Sequence, residues 1–597
     1  MVITKKIAAL RNLMRKHNLD AYIIPSGDTH NTEYIQDYWR TWEWISGFTG
    51  SACTIVITAG KAGLWTDGRY YTQAEKELCG TGIELFKKKE QGVKSYTEFI
   101  ADNLANGGRL GFDGRVVTAY EFETIKKALD GKSITYSYQH DLIGELWHDR
   151  PSLAVEPAFN HGLIFAGKPA SEKLQDVRAG MKKNGYTYYL VSALDSVAWL
   201  LNIRGKDSPN MPVVYAHILI NETEANVYID SEKASAIYSS LIAQGFLLYE
   251  YTDLPTHLKA LKTDKLYYNS FYTNIRISET IPAGITAESN YHKDIIPLLK
   301  AVKTDDELTN IRNAFIKDCT AIVKMLIWLD GVVLNAASSM ELRINEGDIV
   351  RVLESIRREQ PHYLCESFPT ISAYGGNAAL AHYRSGTTGT ALQSKGLLLI
   401  DAGGQYLDGT TDTTRTIVLG DITDEMRHDF TLVLKGHIAL DRAVFPAGTT
   451  GSAIDILARQ YLWESGQNYN HGTGHGLGHC LSAHEGPHFI GQQYSATALA
   501  PGMLVSNEPS QYKENCYGIR IENILLVKEN SKTAAGTFLS FESLTFCPID
   551  LRAVDTTMLT EIEIDWLNNY HQRTYEALSP YLNTDECMWL KNATRQI

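Results

Sequence analysis

"LLLIDAGGQYLDGTTDTTRTIVL" (residues 397–419) reads as an apolar strand, a turn carrying Asp408-Gly409, and a second strand rich in β-branched residues. Such runs flanking an Asp-Gly turn are a hairpin signal. Two carboxylates interrupt it, Asp401 and Asp412. A two-residue turn at Asp408-Gly409 predicts Asp401 opposite Thr416. Side-chain alternation then turns both aspartates to one side. They stay offset along that ladder, so convergence calls for a bulge or strong twist at Gly403-Gly404. An apolar strand running into a charge is costly unless the charge is compensated.

A second acid pair follows. "MLVSNEPSQY" carries Glu508 at the end of an apolar strand, and "GIRIENILLV" sets Glu522 among Ile519, Ile521, Ile524 and Leu525. Alternation puts Arg520 on the face of Glu522, as its expected hydrogen-bond partner. Between the pairs lies "HGTGHGLGH" (residues 471–479), with histidines four apart and glycine at every second position. Each glycine costs about 1 kcal/mol against alanine in a helix, so a metal-binding helix is not expected here. The stretch reads as extended or looping backbone pressed close to something, with one or two imidazoles aimed at one point. Singly, each acid also fits a hairpin-surface or edge-strand charge. Together, four buried carboxylates repel one another without cations. Oxygen-rich ligation with one nitrogen suits two divalent ions such as Mn, Co or Zn.

The remainder of the chain frames this region. Its 597 residues exceed one core, and a net charge of -13 with no long basic run argues against nucleic-acid binding. Ile3, Ile7, Leu10, Leu13 and Met14 recur at helical spacing, which predicts an amphipathic first helix and not a signal peptide. No apolar run approaches the roughly 20 residues of a membrane span. Eight scattered cysteines without CxxC fit thiols of a reducing cytoplasm. Residues 6–75 and 173–233 share an order of helix, strand, aromatic-Gly segment and strand pair, which predicts two similar α/β domains. "TDDE" from Thr304 is a capping box, Thr304 with Glu307, ahead of a long helix. The polar "KENSKTAAG" is expected to follow the third domain. A tail with one helix remains, its docking face formed by Trp566, Leu567, Tyr570 and Leu578.

"DAGGQYLDGTTDTTRT", "HGTGHGLGH…AHEGP", "SNEPSQY" and "GIRIEN" resemble the pita-bread metallopeptidases of family M24, which include methionine aminopeptidase, prolidase and Xaa-Pro aminopeptidase. "WTDGRYYTQA", "AVKTDDELTNIRNAFIKD" and "SFPTISAYGGNAALAHY" are similar to the long, three-domain, cytosolic aminopeptidase P branch. The likeness spans essentially the whole chain. It implies an α/β (α+β) chain: creatinase-N-like domains at 1–155 and 156–302, a pita-bread domain at 303–530, and a C-terminal extension at 531–597.

The resemblance also implies roles. Asp401, Asp412, His475, Glu508 and Glu522 would hold two divalent ions, most simply Mn2+, with Asp412 and Glu522 shared between them. Glu508 would also move the proton of the attacking water, so no nucleophilic serine or cysteine is needed. His382, His471 and His484 would orient substrate carbonyls and stabilise the oxyanion. Arg69 would reach the substrate, although it could instead pair with Asp67 in its own domain. His479 and His488 are expected to be structural or surface residues. The implied reaction releases the residue before a proline in second position, in a cytoplasmic homodimer without nucleic-acid or membrane partners. Prolidase, which cuts dipeptides only, is the nearest alternative. Metal-free binding relatives lack the full ligand set.

Overall fold

A computed structural model describes residues 2–335, 341–380, 383–384 and 389–597. The chain divides into two compact units, 1–160 with 168–296, and 161–167 with 297–597.

The first unit carries the internal repeat. Its opening helix, Ile3–Lys16, buries Ile7, Leu10 and Met14, as the spacing predicts. One six-stranded sheet contains β1 (Ala21–Pro25), β2 (Cys53–Thr58), β3 (Ala62–Thr66), β4 (Glu84–Lys87), β5 (Arg109–Phe112) and β6 (Thr135–Ser137), in the order β4-β3-β2-β1-β5-β6. The other contains β7 (Tyr188–Val191), β8 (Ala216–Ile220), β9 (Ala225–Ile229), β10 (Leu247–Tyr249), β11 (Lys265–Tyr268) and β12 (Thr286–Glu288), in the order β10-β9-β8-β7-β11-β12. Strand directions repeat as well. β1 runs antiparallel to β2 and parallel to β5, and β7 runs antiparallel to β8 and parallel to β11. The first sheet has apolar clusters on both faces, one around Tyr22, Ile55 and Leu64, the other around Ile23, Val56 and Trp65. Neighbouring residues thus face opposite cores, which is why β2 reads as a continuous apolar run.

In the second unit the long helix Asp305–Asn335 is capped as predicted. Glu307 N donates to Thr304 Oγ1 (3.2 Å), and Thr304 N to Glu307 Oε2 (2.9 Å). A three-stranded antiparallel sheet pairs Leu397–Ala402 with Ile371–Tyr374 on one side and Thr413–Val418 on the other. A second antiparallel sheet joins Leu504–Asn507, Asn523–Thr533, Gly536–Ser543 and Phe445–Pro446. The polar stretch expected to follow the third domain is the exposed end of the hairpin between Asn523–Thr533 and Gly536–Ser543.

The tail helix, Glu561–Leu578, buries Leu567, Tyr570 and Leu578, while Trp566 is half-buried. Leu567 and Tyr570 share a core with Leu397, Val418, Ile519 and Ile521, directly behind the acid-bearing strands. A second tail helix, Thr584–Ala593, adds to the one expected, and Asn583 with Glu586 caps it. Among the described residues no helix is long and apolar enough to cross a membrane.

Candidate metal centre

The hairpin of residues 397–418 turns at Leu407-Asp408, one residue earlier than the Asp-Gly pair suggested. Tyr406 pairs with Gly409, Gln405 with Thr410, Ala402 with Thr413, and Asp401 with Thr414. Because the same pairing sum holds on both sides of Gly403, no bulge is needed. Asp401 and Asp412 become diagonal neighbours on one face, at a separation side chains span easily. Gly403 allows the close approach: a Cβ there would lie 2.0 Å from Thr411 O and 2.2 Å from Ser367 Oγ.

Glu508 and Glu522 arrive from the second sheet. Glu508 directly follows Leu504–Asn507, and Glu522 directly precedes Asn523–Thr533, so the antiparallel pairing of those strands delivers both to one end. Glu508 N donates to Thr473 O (2.8 Å). Thr414 Oγ1 donates to Glu522 Oε2 (2.7 Å).

The glycine-rich stretch is not helical. Gly474–His475 forms a two-residue strand paired with Phe489–Ile490. Its glycines permit backbone contact, since a Cβ on Gly474 would lie 1.9 Å from Ser506 O and one on Gly476 2.0 Å from Glu485 O. His475 Nδ1 donates to Gly476 O (3.0 Å), which leaves Nε2 as the outward nitrogen. That atom stands 3.5 Å from Asp412 Oδ2, 3.6 Å from Glu508 Oε1 and 4.0 Å from Glu522 Oε1.

Three overlapping ligand sets result, Asp401/Asp412/Glu522, His475/Glu508/Glu522 and Asp412/His475/His484, each with its ligand atoms within 4.8 Å of one another. Burial, then the neighbouring acids, push the carboxyls of Asp412 and Glu508 well above the usual carboxylate range. Burial and Asp401 lift Glu522 to about 7. Asp401 Oδ1 is buried and meets no protein donor. Crowded acids whose charged forms are disfavoured by burial and by one another, beside an orphaned carboxylate oxygen, fit a site for cations.

Other residues fall differently from expectation. Arg520 pairs with Asp401, Nη2 to Oδ2 at 2.5 Å, and not with Glu522. Its link to Glu522 runs through Thr414, whose Oγ1 accepts from Arg520 Nε (3.2 Å). The shifted turn explains this, because it brings Asp401 and Thr414 opposite each other beside Arg520. His471 has both ring nitrogens engaged, Nδ1 with Gly472 O (2.6 Å) and Nε2 with Tyr512 OH (3.0 Å). Burial first, then Arg520, lowers its pKa to about 3, so the ring is neutral. The exposed His484 stands edge-on to His475, ring centroids 4.4 Å apart. His479 is buried, with Nε2 on Asp408 O (3.1 Å), and His488 is buried, with Nε2 on Leu504 O (2.6 Å). Arg69 makes a two-pronged contact with Asp67 in its own unit, Nε and Nη2 each at 2.8 Å. His382 lies outside the described residues.

Sequence reasoning passed over Thr414 and Tyr512. Thr414 was within reach, because alternation from Asp412 places it on the same face. Tyr512 lies four residues beyond Glu508 in the quoted "SNEPSQY", and nothing in the pattern singles it out.

Comparison with known proteins gives the family. Residues 310–529 match the metallopeptidase family M24, 6–142 and 149–307 the creatinase/prolidase N-terminal domain, and 537–597 the C-terminal region of these peptidases. A probable Xaa-Pro aminopeptidase P of Ajellomyces capsulatus is 38% identical over 619 residues, covering 100% of this chain and 99% of that protein. Aminopeptidase P2 of Arabidopsis thaliana is 37% identical, covering 100% and 89%. The crystal structure of an X-prolyl aminopeptidase from Caenorhabditis elegans, described as a cytosolic enzyme with a di-nuclear active site, superposes with a TM-score of 0.93 at 33% identity, covering 100% of both chains. With relatives this similar over its full length, a hairpin that pairs two aspartates and two further strands that deliver two glutamates, the chain belongs to metallopeptidase family M24.

Proposed function

We propose that this protein is a two-metal Xaa-Pro aminopeptidase, which releases the N-terminal residue from peptides with proline in second position. The observation that carries the reading is the meeting of Asp401, Asp412, His475, Glu508 and Glu522 in a chain that matches, over its whole length, relatives named for that activity. Asp401 and Asp412 would hold one ion, His475 and Glu508 the other, with Asp412 and Glu522 shared. Bound there, two divalent ions neutralise the acids, polarise the scissile carbonyl and make water ionisable near neutral pH. Manganese is the proposed ion, with zinc and cobalt as alternatives for an oxygen-rich site with one nitrogen.

The chain's own groups do the rest. Glu508 has the most open carboxylate of the four, with its side chain 18% exposed against 13% for Asp401, 4% for Asp412 and 2% for Glu522. It takes a proton from water and returns it to the leaving proline nitrogen. An X-Pro amide lacks N–H and has a fixed φ, so it offers fewer contacts than an ordinary peptide bond. His484 and His382 hold the substrate carbonyls instead. His471 joins them as a neutral donor once Nδ1 leaves Gly472 O. Arg69 reaches the substrate only by giving up Asp67. A cytoplasmic homodimer belongs to the same reading.

Hydrolysis of X-Pro-Y peptides, X-Pro dipeptides and X-Ala-Y controls, with Mn, Zn or Co added, tests it. Cleavage of X-Pro-Y alone is the expected result. Cleavage restricted to X-Pro dipeptides would make the protein a prolidase, and neither cleavage nor retained metal would make it a peptide binder. Sedimentation of the full chain checks the dimer.

A further inference from the structure

Arg415 is a buried cation with no ion-pair partner among the described residues, 2% exposed and surrounded by neutral acceptors. Nη1 donates to Thr414 O (2.8 Å) and Glu522 O (2.7 Å). Nη2 donates to Asn523 Oδ1 (2.8 Å), Cys547 O (2.7 Å) and Tyr570 OH (2.7 Å), and Nε to Pro548 O (3.0 Å). The Tyr570 hydroxyl in turn donates to Cys547 O (2.8 Å).

Burying an unpaired guanidinium costs several kcal/mol even when hydrogen-bonded. What it offers here is geometry, because its planar fork fixes acceptors on separate segments relative to one another. The segments are the two that present the shared acids. Thr414 lies two residues beyond Asp412, its carbonyl accepts from Glu522 N (3.1 Å), and its hydroxyl holds Glu522 Oε2. Arg415 Nη1 spans that same junction. Three of the acceptors that orient the guanidinium, Cys547 O, Pro548 O and Tyr570 OH, come from the C-terminal region. Metal ligands need positions held to within about half an ångström, and groups one shell out supply that constraint.

We propose that Arg415 and Tyr570 are positioning residues through which the C-terminal region sets the spacing of Asp412 and Glu522 and so the affinity of the metal centre. This rests on the two-metal reading above. The test uses the full chain loaded with Mn2+, titrated with a chelator while retained manganese is measured. Tyr570→Phe removes one hydroxyl and keeps the ring in its core. Its expected effect is a loss of Mn2+ affinity of about threefold or more, smaller than the roughly tenfold typical for a lost direct partner of a ligand because Tyr570 acts through Arg415. KM for an X-Pro-Y peptide at saturating Mn2+ should stay within about twofold, since no substrate contact is removed. Trp589→Phe is the control: it breaks a hydrogen bond from the second tail helix to Asp330 Oδ2 (2.8 Å) and leaves every donor and acceptor of the Arg415 fork in place. It should lower Tm and leave Mn2+ affinity unchanged. Tyr570→Phe that retains Mn2+ as tightly as the wild type overturns the proposal, as does an equal loss in Trp589→Phe, which would reflect stability alone. A wild-type chain that retains no divalent ion overturns the two-metal reading and this inference together.

Discussion

Asp412 Oδ2 and His475 Nε2 face each other at 3.5 Å, although 63 residues and several strands separate them in sequence. Neither group hydrogen-bonds the other in an ordinary way, since His475 spends its proton on Gly476 O. Two electron-rich atoms so placed need a positive charge between them.

Removing one of them gives the most direct test. Asp412→Ala is expected to abolish metal retention and to lower kcat/KM for an X-Pro-Y peptide by about a thousandfold or more, because the carboxylate proposed to serve both ions and the geometry around it go together. Metal analysis of the purified variant beside steady-state kinetics reads both. Turnover that survives with a full metal complement would refute the ligand assignment.

His479→Ala separates the glycine-rich stretch into its two jobs. His479 is buried, with Nε2 on Asp408 O and Nδ1 3.7 Å from Glu307 Oε1, so its loss leaves a cavity and an unsatisfied carbonyl. Stability should fall by about 1–3 kcal/mol, measured by denaturant unfolding, with kcat and metal content close to wild type. Loss of metal at unchanged stability would move His479 into the site.

The metal-free protein should depend on pH with a defined sign. Glu522, lifted to about 7, keeps its proton in the folded chain after the unfolded chain has lost it. Its contribution to stability is therefore complete below the unfolded pKa of 4.5 and disappears as pH rises to about 7. Burial and neighbouring acids push Asp412 and Glu508 in the same direction. Cations hold these groups ionised, so the Tm advantage of Mn-loaded over chelator-treated protein should widen between about pH 5 and about pH 7.5. A constant gap would mean the acids are not compensated by metal.

Much of this site is legible in the sequence, for a physical reason. Charges at the ends of apolar strands and glycines in place of helix formers break local rules, and such breaks mark function. The repeat was visible because helix and strand periods recur in the same order in both sheets. What stayed hidden was register. Whether the hairpin turned at Leu407-Asp408 or Asp408-Gly409 decided that Arg520 meets Asp401 and not Glu522, and tertiary pairing settled it against the Asp-Gly preference. Arg415 was invisible for a related reason, since all its acceptors but the adjacent Thr414 O come from segments more than a hundred residues away.

Gly476 offers a last test, of geometry without any change of charge. Its carbonyl accepts from both His475 Nδ1 (3.0 Å) and Glu485 N (2.8 Å), so it sets the ring orientation that leaves Nε2 for metal. A methyl on Gly476 would sit 2.0 Å from Glu485 O, and that backbone must move. Gly476→Ala is therefore expected to cost about 1–3 kcal/mol of stability and, because the imidazole tilts, about tenfold in Mn2+ affinity. Gly331→Ala, in the helix Asp305–Asn335 with nothing within 4 Å of the added carbon, should instead gain about 1 kcal/mol and leave affinity alone. Chelator titration of both variants decides the matter. Undiminished Mn2+ binding in Gly476→Ala would mean the ring is aimed by something other than its neighbour's carbonyl.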